Sequence, residues 1–500
     1  MESFIAAFAT LFQWHNFIAL LIGVMGGMVF GVLPGIGGGE LMAVLIPLTW
    51  KMDVTTAFSL LIGIYATSKF GGSLTAILFN VPGDNPNAAT LLDGFPMARQ
   101  GKARTAIAAS AVVSILGGWV SALTIVAFLP VMYWLILHLG PAEYFLLALF
   151  GLTAIAAVSA KSLTKGLISG GIGIMISTIG YHPLVGKPRF AMGSYFLQDG
   201  IQMVTVVIGT LAMSQAIALL MEGSPIAAKG VKLTGSIWEG VAACFKHFGV
   251  FVRSSLIAIV VGIAPGAGAT VAAFLAYASA VKASKNPENF GKGDIRGVIA
   301  AETATNACQG GDLVPTLILG IPGSKACAIL LGAFIIHGIS PGPQLVKTRP
   351  DIIYLIIAGL VLAHFICVGI SIFFVGAMEK LTTTRAEILS PIIIVFCLIG
   401  SYVIREYPQD MLITVIFGIV GYLMQKYGYH PIPMVLGLIL GPIAEFGFFQ
   451  ALRYSDNGFW VFFTRPQSVV LIILTLIPVL WPIVKSQKAR MKKKMVLKKA

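Results

Sequence analysis

Apolar runs long enough to cross a lipid bilayer recur through the whole of this 500-residue sequence, for example at 17–33, 105–129, 201–221, 248–264, 352–376 and 467–485. Only helices and closed barrels satisfy every backbone group in lipid. Runs of this length therefore predict an all-α, polytopic membrane protein, with about 12 passes. Composition agrees: 57% of the residues are hydrophobic and 11% are charged, against about 25% charged in soluble domains.

The N-terminal MESFIAAFATLFQWHNF lacks a basic n-region and a small-residue cleavage site, so it reads as part of the mature chain. Cys244, Cys308, Cys327, Cys367 and Cys397 lie in apolar surroundings without CxxC spacing, and packed thiols are expected rather than disulfides or a metal site. The formal charge of +14 is concentrated in the tail KSQKARMKKKMVLKKA, residues 485–500. A basic block directly after an apolar span predicts a cytoplasmic C-terminus beside anionic lipid. Nucleic-acid binding is excluded, because no soluble module is long enough to carry it.

Three motifs occur twice, in the same order. GVLPGIGGGE at 31–40 matches GIAPGAGAT at 262–270, aligning Gly31, Pro34, Gly35 and Gly37 with Gly262, Pro265, Gly266 and Gly268 at an offset of 231 residues. GGSLTAILFNVPG at 71–83 matches GGDLVPTLILGIPG at 310–323 at an offset of about 240, and GYHP at 180–183 recurs at 428–431 at an offset of 248. The reading is a first membrane repeat over 1–230, a polar linker at 231–247, a second repeat over 248–450, and a terminal helix with basic tail over 451–500.

Loop charge predicts how the halves are oriented. The loop after the first motif has Lys51 in the first half but Lys282, Lys285, Lys292 and Arg296 in the second. The next loop reverses this, with Arg99, Lys102 and Arg104 against Lys347 and Arg349. If basic loops face the cytoplasm, equivalent loops lie on opposite sides, and the repeats have inverted topology.

A Pro-Gly break inside an apolar helix frees amides and carbonyls that lipid cannot satisfy, so it must be buried or line a polar cavity. Half-helix ends at such a gap can hold a carboxylate or a cation. A single Pro or Gly is more often a kink or packing contact, but four breaks at matched positions point to broken helices and re-entrant segments around a transport site. GYHP reads instead as an interfacial helix end, with Tyr anchoring and Pro stopping.

The series GVLPGIGGG, IYATSKFGGSLTAILFNVPG, NAATLLDGFPMARQGKA, GIAPGAGATVAAFLAYASAVKASKNPENFGKGDIRGV and LVPTLILGIPGSKACAILLGAFIIHGISPGPQLV resembles the large membrane subunit of the tripartite tricarboxylate transporters over about residues 15–450. That resemblance implies a secondary carrier in the bacterial cytoplasmic membrane. It would work with a small four-helix membrane subunit and a periplasmic solute-binding protein, and import a carboxylate on a sodium or proton gradient by an elevator movement. No other cofactor is implied, and a homodimer is left open.

The chain departs from the family pattern at Glu40, Lys69, Asp84, Asn85, Asp312 and Lys325, where small or uncharged residues are usual, and at Ala301 and Thr305 in AETATNACQGG, which keeps Glu302 and Asn306. Each charge costs on the order of 3 kcal/mol in the bilayer, so it is expected to face a cavity or a partner. The expected substrate site comprises Pro34, Gly35, Gly37, Gly38, Lys69, Asn80, Pro82, Gly83, Asp84 and Asn85 from the first half. The second half contributes Pro265, Gly266, Gly268, Pro322, Gly323, Ser324 and Lys325. Thr270, Thr305, Asn306 and Asp312 form the expected coupling-ion set, as oxygen ligands suit a hard cation. Lys69 and Lys325 would attract an anion while Asp84 or Asp312 couples a cation or reads an amino group; ion pairing among the four is the structural alternative.

Two rival classes remain at this stage. Asp84 and Asp312 could form the carboxylate dyad of an intramembrane protease, although no GxSxG, HExxH or phosphate-binding loop is present. A passive anion channel is the other. A carrier, and not an enzyme, is the expected reading.

Overall fold

Helices make up most of the described residues, and the only sheet among them is a two-stranded antiparallel pairing of Gly180–Tyr181 with Pro188–Arg189. The structure is a computed structural model describing residues 2–33, 37–159, 162–182, 186–222, 234–381, 386–455 and 458–477. Pro34 and Gly35, part of the linker, Pro183 and the basic tail lie outside the described residues.

Five described helices are long and apolar enough to span a membrane, or seven if two bent pairs each count as one span. These spans fall short of the expected count of about 12 passes; further apolar segments fold as shorter helices, among them Gly38–Thr49, Leu163–Ser177, Gly268–Ala283 and Lys325–Ile336.

The chain forms two compact units, each drawing on both halves of the sequence. One comprises Trp134–Met203 with Leu423–Ala500. Within it, a β-carbon at Gly173 would sit 1.9 Å from Met434 O, and one at Gly437 would sit 2.1 Å from Gly170 O. Small residues thus let the helices Leu163–Ser177 and Pro431–Tyr454 touch backbone to backbone. Arg189 pairs with Glu445 at 2.5 Å, and Arg465 with Glu143 at 2.9 Å. The second GYHP both ends a helix and begins one: Gly428 is left-handed (φ +74°), His430 accepts a hydrogen bond from Ile432 N, and Pro431 is the first residue of the next helix.

The other unit, Met1–Tyr133 with Val204–Tyr422, contains every described residue of the expected site. Eight helices frame it. From the first half come α1 (Trp14–Val32), α2 (Gly38–Thr49), α3 (Val54–Phe79) and α4 (Asn87–Met97). The second supplies α5 (Phe248–Ile263), α6 (Gly268–Ala283), α7 (Ile295–Leu319) and α8 (Lys325–Ile336). Asp53 caps α3 by accepting Thr55 N at 3.0 Å, and the Thr55 hydroxyl with neighbouring amides holds this carboxyl below the usual carboxylate range.

Gly23, Gly27 and Gly31 form a smooth edge of α1 against α3, where β-carbons would sit 2.1 Å from Leu60 O, 2.4 Å from Thr67 Oγ1 and 2.1 Å from Ser68 O. In the second half, a β-carbon at Gly262 would sit 2.7 Å from Cys308 O, and Ala258, Ala269, Ala272, Ala276, Ala304 and Ala307 knit α5, α6 and α7 with side chains hardly larger than glycine. Gly71 packs on Met28 O and Gly31, while Gly311 packs on Ile259 O and Gly262. Gly71 therefore occupies the place that Gly311, not Gly310, occupies, and Asp312 stands where the first half has Gly72.

Helices α3 and α7 run antiparallel, since Tyr65 meets Gln309 while Ser73 meets Glu302. At one end the 49–53 turn meets the 337–349 segment through Thr49 Oγ1 and His337 Nε2, 3.1 Å apart. At the other the 98–104 and 284–296 segments meet, Gln100 Nε2 donating to Lys292 O at 2.7 Å. Asp93 adds to this junction by accepting Gly293 N at 2.8 Å and Asp294 N at 2.9 Å.

Candidate functional site

Both α3 and α7 end in the same way. Asn80 and Gly320 adopt left-handed conformations (φ 59° and 70°), stopping the helices so that Val81-Pro82-Gly83 and Ile321-Pro322-Gly323 leave as non-helical chain. Asparagine is among the few side chains that tolerate this geometry. The chain then turns into α4, or into α8, whose Ser324 cap accepts Cys327 N.

The other two breaks separate α1 from α2 and α5 from α6. They lie against the first pair. A β-carbon at Gly83 would sit 2.1 Å from Gly31 O and 2.5 Å from Gly72 Cα, and one at Gly323 would sit 2.4 Å from Asp312 Cα. Gly266 N donates to Gly323 O at 3.0 Å, with Gly266 and Gly268 both left-handed (φ 81° and 62°). Both left-handed conformations favour glycine.

The charges meet where the breaks meet. Lys69 Nζ lies 2.8 Å from Asp84 Oδ2, and Lys325 donates to Glu40 across the two halves. Glu40 in turn accepts Gly37 N at 3.0 Å, capping α2, and a β-carbon at Gly37 would lie 3.5 Å from Asp84 Oδ2. Lys325 is also within electrostatic reach of Asp84, and Lys69 of Asp312. Asp312 is buried and receives the Cys308 thiol at 3.5 Å. Two cations thus face three carboxylates. Side-chain exposure falls from 38% at Lys325 and 27% at Asp84 to 15% at Lys69 and 9% at Glu40, so Lys325 and Asp84 form the accessible edge.

A second, fully buried polar network lies between α3, α4, α7 and the helix Ala103–His138. Glu302 accepts Ser73 Oγ at 2.6 Å, Ser110 Oγ at 2.9 Å and the Thr90 hydroxyl. Asn87 Nδ2 donates to Ser73 Oγ at 2.9 Å, and its Oδ1 accepts Asp84 N at 3.2 Å, linking this network to the charged cluster. Further along α3 and α7, Tyr65 Oη donates to Gln309 O at 3.1 Å and Gln309 Nε2 to Ala66 O at 3.2 Å.

Of the expected site residues, Gly37, Gly38, Asn80, Pro82, Gly83, Asp84, Asn85, Pro265, Gly266, Gly268, Pro322, Gly323, Ser324 and Lys325 lie at the four breaks, and Lys69 reaches them from within α3 through its ion pair with Asp84. Pro34 and Gly35 lie outside the described residues. The ion set is more dispersed. Asn306 Nδ2 donates to Ser114 Oγ at 3.0 Å and Glu302 O at 2.9 Å, joining the Glu302 network, and Thr305 Oγ1 donates to Ala301 O at 2.9 Å. Asn306 Oδ1 and Gln309 Oε1 are buried with no hydrogen-bond partner among the described residues, leaving two oxygens suited to a cation. Thr270 sits half-buried on α6. Among the described residues no hydrogen bond joins Asp84 to Asp312, and each has its own partner, which disfavours a shared-proton dyad. Glu40, Tyr65, Ser73, Asn87, Glu302 and Gln309 were not in the expected set. An isolated charge at Glu40 among glycines was the signal for the first.

Broken helices meeting around paired charges inside an apolar, all-α chain define a polytopic membrane protein of the transporter class. The comparisons make this particular: the Tripartite tricarboxylate transporter TctA family matches residues 17–436, and the chain belongs to it. An "uncharacterized 52.8 kDa protein in TAR-I ttuC' 3'region" of Agrobacterium vitis is 34% identical over 469 residues, covering 94% of this chain and 93% of its own length. An "uncharacterized protein in TAR-II ttuC' 3'region" of the same organism is 34% identical over 229 residues, covering 46% of this chain and 95% of its own length. No solved structure matches the chain.

Proposed function

We propose that this chain is the carrier subunit of a binding-protein-dependent secondary transporter that imports a tricarboxylate-like anion on a sodium or proton gradient. The observation that carries the reading is the meeting of four helix breaks around Lys69–Asp84 and Lys325–Glu40. Neither lysine is idle: a substrate carboxylate that takes one competes with its resident carboxylate. The freed Asp84 or Glu40 then needs a new counter-charge, because an unpaired charge out of water is costly. A sodium ion or proton supplies it, so substrate and ion load together. Asp312, the third carboxylate, is the first candidate for holding that cation, with Asn306 and Gln309 oxygens as a second.

The two halves are read as inverted repeats. Matched glycine–carbonyl approaches at offsets of 231 and 240, antiparallel α3 and α7, and the meeting of the two more basic loops at one end support this. On the positive-inside rule that end is cytoplasmic, as is the C-terminus, in a bacterial cytoplasmic membrane. The partners of this reading are a small four-helix subunit and a periplasmic solute-binding protein, and the movement is an elevator. The pass count rises toward 12 as short helices pair across breaks.

The test is uptake of radiolabelled carboxylates by proteoliposomes holding this chain and its small subunit, with the binding protein outside and imposed sodium or proton gradients. Gradient-driven, binding-protein-dependent accumulation is expected. Flux that merely equilibrates would mark a channel, and a chemically altered product an enzyme.

A further inference from the structure

Where the 98–104 and 284–296 segments meet, a cleft of about 660 Å³ opens that the transport site does not use. One wall is the helix Ile237–Lys246, which bends by 71° into α5. Its three faces differ. Gly240 and Cys244 pack on the helix Ala103–His138, a β-carbon at Gly240 falling 2.3 Å from Thr105 O. Ile237, Trp238 and Phe245 are exposed, with Phe248 just beyond the bend. Glu239 and Lys246 face the cleft, with Lys102 and Lys292 across from them.

The charges do not cancel. Lys102 lies 3.8 Å from Glu239, and Asp294 is held by Arg296 at 2.5 Å. Lys246 and Lys292 line the same cleft and have no ion-pair partner among the described residues. A short amphipathic helix turned away from a membrane span, with aromatics on one face and lysine on another, is the signature of a segment lying in the interface. Basic pockets beside such segments take anionic headgroups.

The geometry points to a binding site for an anionic phospholipid, its phosphate between Lys246 and Lys292 and its acyl chains along Trp238, Phe245 and Phe248. A soluble anion would use the lysines but leave the exposed aromatics on the adjoining face of the helix without a role. The site is independent of the transport reading, since it shares no residue with the helix breaks.

The experiment is native mass spectrometry of the full chain, titrated with phosphatidylglycerol against phosphatidylcholine, with inorganic phosphate as a separate competitor. Selective phosphatidylglycerol binding is expected, weakened about thirty-fold in Lys246→Ala/Lys292→Ala and unchanged in Lys51→Ala. Photo-crosslinking of the unmodified chain with a phosphatidylglycerol probe should label the 237–248 segment, which keeps the proposal testable if the double variant folds poorly. Equal binding by wild type and double variant, or crosslinks elsewhere, overturns it. Displacement by inorganic phosphate overturns the lipid in favour of a soluble anion, and expulsion of the lipid by the small subunit overturns it in favour of a protein interface.

Discussion

Lys325, at the start of α8 in the second half, donates to Glu40 in the first turn of α2 in the first, tying together two helix breaks that lie 285 residues apart. Glu40 also caps α2 through Gly37 N, so one carboxylate holds a helix end and a lysine at once. A substrate that took Lys325 would loosen both. Glu40→Gln keeps an acceptor for Gly37 N but loses the charge. We expect it to bind substrate at least as tightly, with uptake that no longer rises with coupling-ion concentration. Lys325→Met should raise the KM for a carboxylate by about ten-fold or more, the scale of one charge-assisted contact. Initial uptake rates across substrate and ion concentrations check both, and an unaltered ion dependence in Glu40→Gln would remove Glu40 from coupling.

Glu302 is the hub of the buried network, accepting hydroxyls from Ser73, Thr90 and Ser110 on three helices. In Glu302→Ala these donors lose their acceptor, although a helical serine or threonine can turn back to a carbonyl four residues earlier. Ser73 already contacts Lys69 O in this way. The expected net loss is about 2 kcal/mol, read as a lower unfolding temperature in detergent. Glu302→Gln, which keeps one acceptor, should recover part of it. Equal unfolding temperatures for Ala and wild type would show that the network contributes nothing to stability.

Gly31 and Gly323 should tolerate no side chain. A β-carbon at Gly31 meets Ser68 O, and one at Gly323 meets the Asp312 backbone at 2.4–2.8 Å, neither of which can move without shifting a helix. Gly31→Ala and Gly323→Ala are expected to cost about 3 kcal/mol or more and to abolish uptake. Gly171→Ala is the control, because nothing lies within 4 Å of its β-carbon position. In a helix that change should be neutral or stabilise by up to about 1 kcal/mol. Fluorescence-detected size exclusion after graded heating measures all three.

The helix breaks were legible because lipid makes backbone accounting strict: a Pro-Gly in an apolar run must be explained locally. Charge positions were legible for the same reason. Their partners were not. Lys69 and Asp84 are 15 residues apart and share one half, but the Lys325–Glu40 pairing depends on how the halves dock, which no local pattern encodes. The part Glu302 plays as a hub was not legible for a related reason, its donors being common serines and threonines on separate helices. The register of the second motif also needed the fold, since GGS and GGD align by eye one residue away from the Gly71–Gly311 correspondence that packing shows.

Inverted repeats make a prediction about sides that no packing detail can mimic. Lys51, Arg99, Lys285 and Lys347 are all exposed, and all five native cysteines are buried and free. Single cysteines at these four positions should therefore react with an impermeant maleimide over a silent background. The 49–53 turn meets the 337–349 segment, and the 98–104 segment meets the 284–296 segment. Lys51→Cys and Lys347→Cys should thus label from one side of the membrane, and Arg99→Cys and Lys285→Cys from the other. Because positive loops face inward, the second pair is expected to react only in inside-out vesicles. Lys51 and Lys285 belong to loops that follow the same motif in the two halves, so their labelling from one side would mean parallel repeats. The two halves could not then offer their half-helix ends from opposite faces to one central site.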